Sequence, residues 1–232
     1  MKKLFKKLFE YYSDVKSLKD LKKEKYKHVF LLLYWPFYGL AFLILERFSN
    51  LTYHTVECAL DRKIPFCEFF LPAYFFWFIF MFWIVAYGFF FDIPSFEKCS
   101  KFIMITYTIT VIIYIVFPTK QCLRPDEFAR DNFLVSIAKG LYAFDTNTNV
   151  CPSIHILGSL ATTFTAWHSK RYSTFGWRTA FFIMNLLVCA STVFMKQHSV
   201  IDVAAALLIS FAAYPFVYRR KSGKTEKQLA YK

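Results

Sequence analysis

Six apolar segments divide this sequence, and long uncharged segments of this kind are stable as helices that cross a bilayer. The clearest is residues 69–91, which carries no charge between Glu68 and Asp92. Several segments fall short of the roughly 20 residues that a crossing needs, which fits helices that begin below the membrane surface around a pocket. The predicted fold is all-α, a polytopic membrane protein with a six-transmembrane-helix bundle. The other predicted spans are residues 29–45, 102–119, 154–167, 179–195 and 203–218.

The composition agrees with a membrane protein and excludes other classes. The chain has 30 Phe, 15 Tyr and 5 Trp, and its mean hydropathy is +0.34. Basic and aromatic residues do not alternate as they do in a base-stacking surface, so no nucleic-acid partner is expected. The six cysteines form no CxxC pair and no zinc-binding spacing with histidine. We therefore expect neither a metal nor a cofactor.

The net charge of +13 is concentrated at the two ends and in alternate loops. Residues 1–27 predict a basic amphipathic helix on an anionic membrane surface, residues 28–218 the transmembrane domain, and residues 219–232 a basic tail. Because cytoplasmic loops are rich in Lys and Arg, both termini are predicted to be cytoplasmic, with loops 46–68 and 118–153 on the opposite face. Short loops and frequent Phe, Tyr and Lys suit a bacterial plasma membrane.

The stretch from Cys151 to His155 joins a polar loop to an apolar segment, an unusual position for an imidazole. Ser153 is a good N-cap residue, because its hydroxyl can accept a free backbone N–H of the first helical turn. Such a helix start also attracts anions such as phosphate. His155 is predicted to lie one turn further on, beside the anion. A simple cap with an interfacial histidine is the alternative.

A second polar group follows the fifth segment. His198 and Asp202 are four residues apart, so on a helix they share a face and the carboxylate can orient one ring nitrogen. The alternative is an interfacial histidine with Asp202 capping the last helix. A third group, Lys120 and Arg124, brings two cations to the same predicted face, where Arg can bind a phosphate with two hydrogen bonds.

Together these residues resemble the type 2 phosphatidic acid phosphatase superfamily of integral membrane enzymes. Arg124-Pro125 resembles the end of its first motif, and Pro152-Ser153-Ile154-His155 matches its second motif in full. Ser191, His198 and Asp202 match the third motif in order and spacing. The resemblance implies a membrane lipid phosphatase that acts on phosphatidic acid, phosphatidylglycerophosphate or an isoprenyl diphosphate on the non-cytoplasmic face.

The resemblance also implies roles for individual residues. Arg124 and Ser153 are expected to bind the phosphoryl oxygens, together with Lys120 and Lys196. His198, oriented by Asp202, is expected to attack phosphorus and form a phosphohistidine without a metal. The expected general acid, and then base, is His155 at the departing lipid oxygen.

Two positions depart from the family pattern. The first-motif Lys falls at Phe117, with Lys120 the nearest cation, and Thr192 replaces the third-motif Arg. Lys196 lies four residues after Thr192, on the same face of a continued helix. Fewer cations also resemble the branch of sphingomyelin and inositol phosphorylceramide synthases, so a lipid phosphotransferase is the alternative. A non-catalytic transporter or scaffold is a third reading, disfavoured because the two histidines, Asp202 and Ser153 occur together.

The remaining calls concern the predicted outer face. Residues 61–66 can contact headgroups or form only an interfacial turn. Cys122 with Cys151, and Cys58 with Cys67, are candidate disulfides if this face is oxidising. Free thiols are the alternative for both pairs.

Overall fold

The computed structural model describes residue 6, residues 9–47 and residues 51–219, and 74% of the structure is helical. Short 3₁₀ segments precede several of the helices, and the longest is Glu24–Leu33. A two-residue parallel pair, β1 (His54–Thr55) and β2 (Thr119–Lys120), joins two loops. The helices are α1 (Tyr34–Arg47), α2 (Ala59–Lys63), α3 (Leu71–Phe91), α4 (Ile93–Val116), α5 (Phe133–Phe144), α6 (Ile154–His168), α7 (Phe175–Phe194) and α8 (Val200–Tyr218).

Five helical segments among the described residues are long and apolar enough to cross a membrane. Large apolar side chains point outward from them, such as Phe82 at 73% exposure and Phe216 at 84%. The structure therefore indicates an all-α integral membrane protein. The predicted count of six spans is not confirmed, because α6 has only 15 residues. The five segments are Glu24–Arg47, Glu68–Phe91, Ile93–Val116, Phe175–Phe194 and Val200–Tyr218.

Helix α6 occupies the centre of the bundle and packs against α3, α4, α7 and α8. Twelve of its 15 residues are buried. Close packing requires Gly158, since a Cβ there would lie 2.5 Å from the Met81 sulfur and 2.8 Å from the Tyr107 hydroxyl. A helix of 15 residues, too short to be among the five candidate spans, is thus the one that α3, α4, α7 and α8 surround.

Three polar residues of α6 can be buried because their hydroxyls bond to carbonyls of the same helix. The Ser159 hydroxyl donates to the His155 carbonyl at 2.7 Å, and those of Thr162 and Thr163 each donate to the Ser159 carbonyl at 2.8 Å. Such bonds avoid the cost of an unpaired buried hydroxyl, which is about 1–3 kcal/mol. A Ser/Thr-rich helix can therefore form the core.

Each end of α6 is attached to a different end of the α3–α4 hairpin. Near its start, the hydroxyl of Tyr114, at the end of α4, donates to the Pro152 carbonyl at 2.7 Å. Just beyond its end, the Ser169 hydroxyl donates to Asp92 at 2.8 Å. Asp92 forms the turn between α3 and α4 and caps α4 by accepting from the Ser95 amide. Helix α6 therefore runs the length of the bundle core.

The N-terminal segment differs from the predicted continuous amphipathic helix. Residues 1–5 and 7–8 lie outside the described residues, but the helix that includes residues 9–12 ends there. The Ser13 hydroxyl bonds back to the Glu10 carbonyl at 2.8 Å, and the chain reverses. The Tyr12 hydroxyl then meets the His28 ring at 2.8 Å. A polar turn and aromatic packing therefore interrupt the predicted helix.

Two predicted loops contain helix. Residues 92–101 lie between two predicted spans, whereas α4 begins at Ile93 with Asp92 as its cap. The predicted long loop 118–153 contains α5, whose cap Asn132 accepts from the Val135 amide at 3.1 Å. Charged residues obscured the first helix, and the short length of α5 obscured the second. The predicted tail lies outside the described residues from position 220 onward.

A pair of glycine substitutions tests the central position of α6. Replacing glycine by alanine in a helix interior stabilises the helix by about 1 kcal/mol. Where the added methyl group overpacks a core, it costs about 1–3 kcal/mol. We expect Gly158→Ala to lower the thermal unfolding temperature in detergent. Gly140→Ala in α5, where a Cβ meets nothing within 4 Å, should leave that temperature unchanged or raise it. Equal stability of the two variants would contradict the close packing around α6.

Candidate functional site

Two histidines and one aspartate form a line of hydrogen bonds at one end of the bundle. His155 Nδ1 lies 3.2 Å from His198 Nε2, and His198 Nδ1 lies 3.2 Å from Asp202 Oδ2. The residues are 6%, 5% and 0% exposed, in that order. The structure thus brings together the three predicted catalytic residues from α6, the α7–α8 loop and α8.

The hydrogen-bond line restricts where the protons can lie. An ionised carboxylate only accepts, so His198 Nδ1 carries the proton that it donates to Asp202. In neutral His198 the other nitrogen, Nε2, is then an acceptor, and the proton of the second bond lies on His155 Nδ1. This assignment leaves the electron pair of His198 Nε2 unprotonated, as a nucleophile requires, and places the N–H group of His155 beside it.

The Asp202 carboxylate makes both contacts that the sequence suggested, one with His198 and one at the start of α8. Ser199 caps α8, and the Asp202 carboxylate accepts from the Ser199 backbone N–H at 2.9 Å as well as from His198. His198 precedes the cap, so the two residues meet across the first turn rather than along one helix face. The same carboxylate therefore starts the helix and orients the imidazole.

Ser153 is the N-cap residue of α6, as predicted, but it does not form the predicted cap bond. Its backbone is extended, and its hydroxyl is fully buried without a hydrogen-bond partner. The Ser153 backbone N–H is bound to the Asp202 carbonyl at 3.3 Å. A buried hydroxyl without a partner, at a helix start and two residues before His155, is available for a ligand oxygen.

Arg124 lies behind the α7–α8 loop. Its guanidinium donates to the Tyr142 carbonyl at 3.1 Å, the Thr146 carbonyl at 2.8 Å and the Gln197 side chain at 2.7 Å. The Nε atom of Arg124 is buried and has no partner. Gln197 directly precedes His198 in the chain, so this contact brings the guanidinium close to the His198 loop. Burial lowers the pKa of the guanidinium.

The two lysines of the predicted phosphate site lie in different settings. Lys120 is half-buried in β2, where its backbone pairs with Thr55 and bridges to Thr148. The Lys196 ammonium donates to the backbone carbonyls of Asp61, at 2.7 Å, and of Ile64. Because α7 ends at Phe194 and Lys196 has a φ of 53°, the expected shared helical face with Thr192 is wrong. The phosphate-binding role of both lysines stays a prediction.

Three further residues complete the surroundings of the histidines and were missed in the sequence. The rings of Tyr74 and Trp77 pack against the His155 ring, with centroids 4.7 and 4.6 Å apart. The Tyr74 hydroxyl lies 3.4 Å from the Asp145 carboxylate. Burial raises the pKa of Asp145, and the nearby charge of Arg124 partly opposes the shift. Aromatic residues in a Phe-rich span and an aspartate in a polar loop give no distinguishing sequence signal.

The predicted disulfides are absent, because all six cysteines are free thiols. Cys122 is exposed, whereas Cys151 is partly buried beside Asp202. Burial, followed by the Asp202 charge, raises the pKa of the Cys151 thiol to about 12. The loop that carries Arg124 is therefore held by hydrogen bonds and not by a covalent link.

Comparison with protein-family models, with curated proteins and with solved structures gave no match. The resemblance to lipid phosphatases therefore depends on the motif residues alone. Any functional conclusion has to come from the chemistry of His155, His198, Asp202 and their neighbours.

The free cysteines give a direct test of the loop structure. Protein denatured without a reductant should react with six equivalents of a thiol reagent, as measured by intact mass. In the folded protein in detergent, exposed Cys122 should react first and fully buried Cys99 last. The Cys122→Ser variant should lose the fast phase alone. Four or fewer thiols in the denatured wild type would instead indicate disulfides.

Proposed function

We propose that this chain is an integral membrane lipid phosphatase that hydrolyses a lipid phosphate or diphosphate through a phosphohistidine. The hydrogen-bond line from His155 through His198 to Asp202 carries the proposal. It supplies a nucleophilic nitrogen, a group that fixes its tautomer and a proton donor 3.2 Å from that nitrogen. Phosphoryl transfer needs mainly such positioning, together with stabilisation of negative charge.

The phosphoryl oxygens would be held at the start of α6. One donor there is the unpartnered Ser153 hydroxyl. The others are backbone N–H groups of the first helical turn, which have no partner within the helix. Arg124, next to the His198 loop through Gln197, adds positive charge. Lys120 and Lys196 are the remaining proposed phosphate ligands.

The chemistry follows in two steps. His198 Nε2 attacks phosphorus, the P–O bond to the lipid breaks, and His155, as an imidazolium, gives one proton to the departing oxygen. Water then attacks the phosphohistidine, His155 takes a proton from that water, and inorganic phosphate leaves. Asp202 stabilises the positive charge that His198 carries while it is phosphorylated.

The arrangement in the membrane is part of the proposal. Because α6 runs between the two ends of the α3–α4 hairpin, it would act as a sixth, short crossing. Both termini would then lie in the cytoplasm and the histidines at the opposite face, in agreement with the positions of Lys and Arg. The membrane would be a bacterial plasma membrane, and the substrates phosphatidic acid, phosphatidylglycerophosphate or an isoprenyl diphosphate.

A specific observation favours lipid phosphotransfer as the second candidate. Thr192 is buried, and its hydroxyl donates to the Cys189 carbonyl at 2.9 Å, so it adds no charge where the phosphatase motif has Arg. The Lys196 ammonium is occupied by two carbonyls. His198 would then carry a phospho-headgroup rather than a bare phosphoryl group, and this headgroup would pass to a lipid hydroxyl instead of water.

Phosphate release in detergent tests the first proposal. Purified wild type, with chelator and no added metal, should release phosphate from phosphatidic acid or an isoprenyl diphosphate. His198→Ala should lower kcat by at least about 10³-fold, because it removes the nucleophile. Glu57→Gln, which breaks only a surface ion pair with Arg62, should retain wild-type kcat.

Full activity of His198→Ala would reject the proposed nucleophile. No release by folded wild type, combined with headgroup transfer between paired donor and acceptor lipids, would establish the phosphotransferase instead. Absence of both activities would leave a non-catalytic membrane protein.

The role of His155 can be separated from that of His198 with an activated substrate. A p-nitrophenyl phosphate monoester has a leaving group that needs little protonation, so His155→Asn should still form the phosphohistidine from it. The second step needs a general base and should slow by about 10²–10⁴-fold, so phosphoenzyme should accumulate, measurable by ³²P labelling. An alkyl phosphate should not label this variant. Equal labelling of wild type and variant would contradict the assignment.

A further inference from the structure

Asp61 is a buried carboxylate that the proposed mechanism does not use. It lies in α2, is 0% exposed and accepts three hydrogen bonds. The donors are the Ser199 hydroxyl at 2.6 Å, the Val200 backbone N–H at 2.8 Å and the Cys58 backbone N–H at 2.7 Å. Two of these donors belong to the segment that directly follows His198.

The same region also holds the segment before His198. The Lys196 ammonium donates to the carbonyls of Asp61 and Ile64, and the Cys67 backbone N–H donates to the Phe194 carbonyl at 3.0 Å. Residues 58–67 therefore hold the α7–α8 loop on both sides of the histidine. Residues 195–199 of this loop form neither helix nor strand, since α7 ends at Phe194 and α8 begins at Val200.

Ser199 connects the two carboxylates of this region. Its hydroxyl donates to Asp61 and accepts from the Ile201 backbone N–H at 3.1 Å, and its own backbone N–H donates to Asp202. Both polar hydrogens of Ser199 are therefore fixed by carboxylates from two different helices. A shift of Ser199 would move the adjacent His198 relative to Asp202.

We propose that Asp61 is a positioning residue that sets the orientation of the His198 imidazole through Ser199 and Val200. The proposal depends on the proposed function only for its kinetic consequence. Asp61 does not touch His198, so it acts on the geometry of attack rather than on substrate binding.

The strength of these bonds supports the role. Hydrogen bonds to a buried charged group are stronger than neutral ones. Burial raises the pKa of the Asp61 carboxyl, but the bonds from Ser199, Val200 and Cys58 outweigh it and leave the pKa below the ordinary value. The carboxylate is therefore charged near neutral pH, and a neutral amide cannot accept all three bonds in the same way.

Asp61→Asn provides the kinetic test. Replacing the outer-shell partners that orient metal ligands costs about 10–100-fold, and by analogy we expect kcat to fall about 10–100-fold with KM within about twofold. Glu57→Gln is the matched control, an acid in the same segment whose partner is a surface arginine. Ser199→Ala should produce a similar loss, and the double variant should lose little more, because both changes break one connection. Ser199→Ala also keeps the test available if Asp61→Asn does not fold.

A second readout does not need turnover. ¹⁵N NMR of histidine-labelled protein reports the tautomer of each imidazole, and His198→Gln assigns the signal. In wild type, neutral His198 should carry its proton on Nδ1, whereas Asp61→Asn should show a mixture of tautomers. Unchanged kcat together with an unchanged single tautomer would overturn the role of Asp61. Failure of wild type to release or transfer phosphate would reject the proposed function, while the NMR result would still decide this inference.

Discussion

Burial of the polar helix α6 is the constraint on which the rest of the structure depends. A helix with four Ser or Thr residues, two histidines and a glycine can lie in an apolar core only if its polar groups are bonded internally. Ser159, Thr162 and Thr163 meet that condition with their own helix. The groups that remain unsatisfied are then informative, and they include the Ser153 hydroxyl and Nε of Arg124 at the site end. Functional sites commonly retain such unpaired groups.

Much of the fold could be predicted because apolar length is a strong signal. The span at residues 69–91 corresponds closely to α3, and the predicted span 203–218 lies within α8. The failures have physical causes. Asp92 and Pro94 read as a loop, although they are good residues for starting a helix. Helix α5 is apolar but, at 12 residues, too short to be recognised as a crossing. Tyrosine and histidine packing that ends the N-terminal helix is tertiary and has no local pattern.

The candidate site was likewise predictable from the sequence only in part. The spacing of His198 and Asp202 predicted their contact, and the structure shows it at 3.2 Å. Spacing could not predict that α7 stops before Lys196, which turns the ammonium toward α2 instead of along the helix. Asp61 is 138 residues from Ser199 in sequence. A contact over that separation leaves no local signature, so only the folded chain shows it.

The enclosure of the histidines also bears on the choice between hydrolysis and transfer. At rest His155 is hydrogen-bonded to His198, with Tyr74 and Trp77 against its ring. Phosphorus has to replace that hydrogen bond in order to reach His198 Nε2. In both reactions the first step is the attack of His198 Nε2 on the phosphorus of the donor lipid, and the acceptor takes no part in it. The acceptor that reaches phosphorus beside His155 decides the second step. Hydrolysis therefore requires space for one water between the His155 ring and a phosphoryl group held at the start of α6. Transfer requires space there for a lipid hydroxyl.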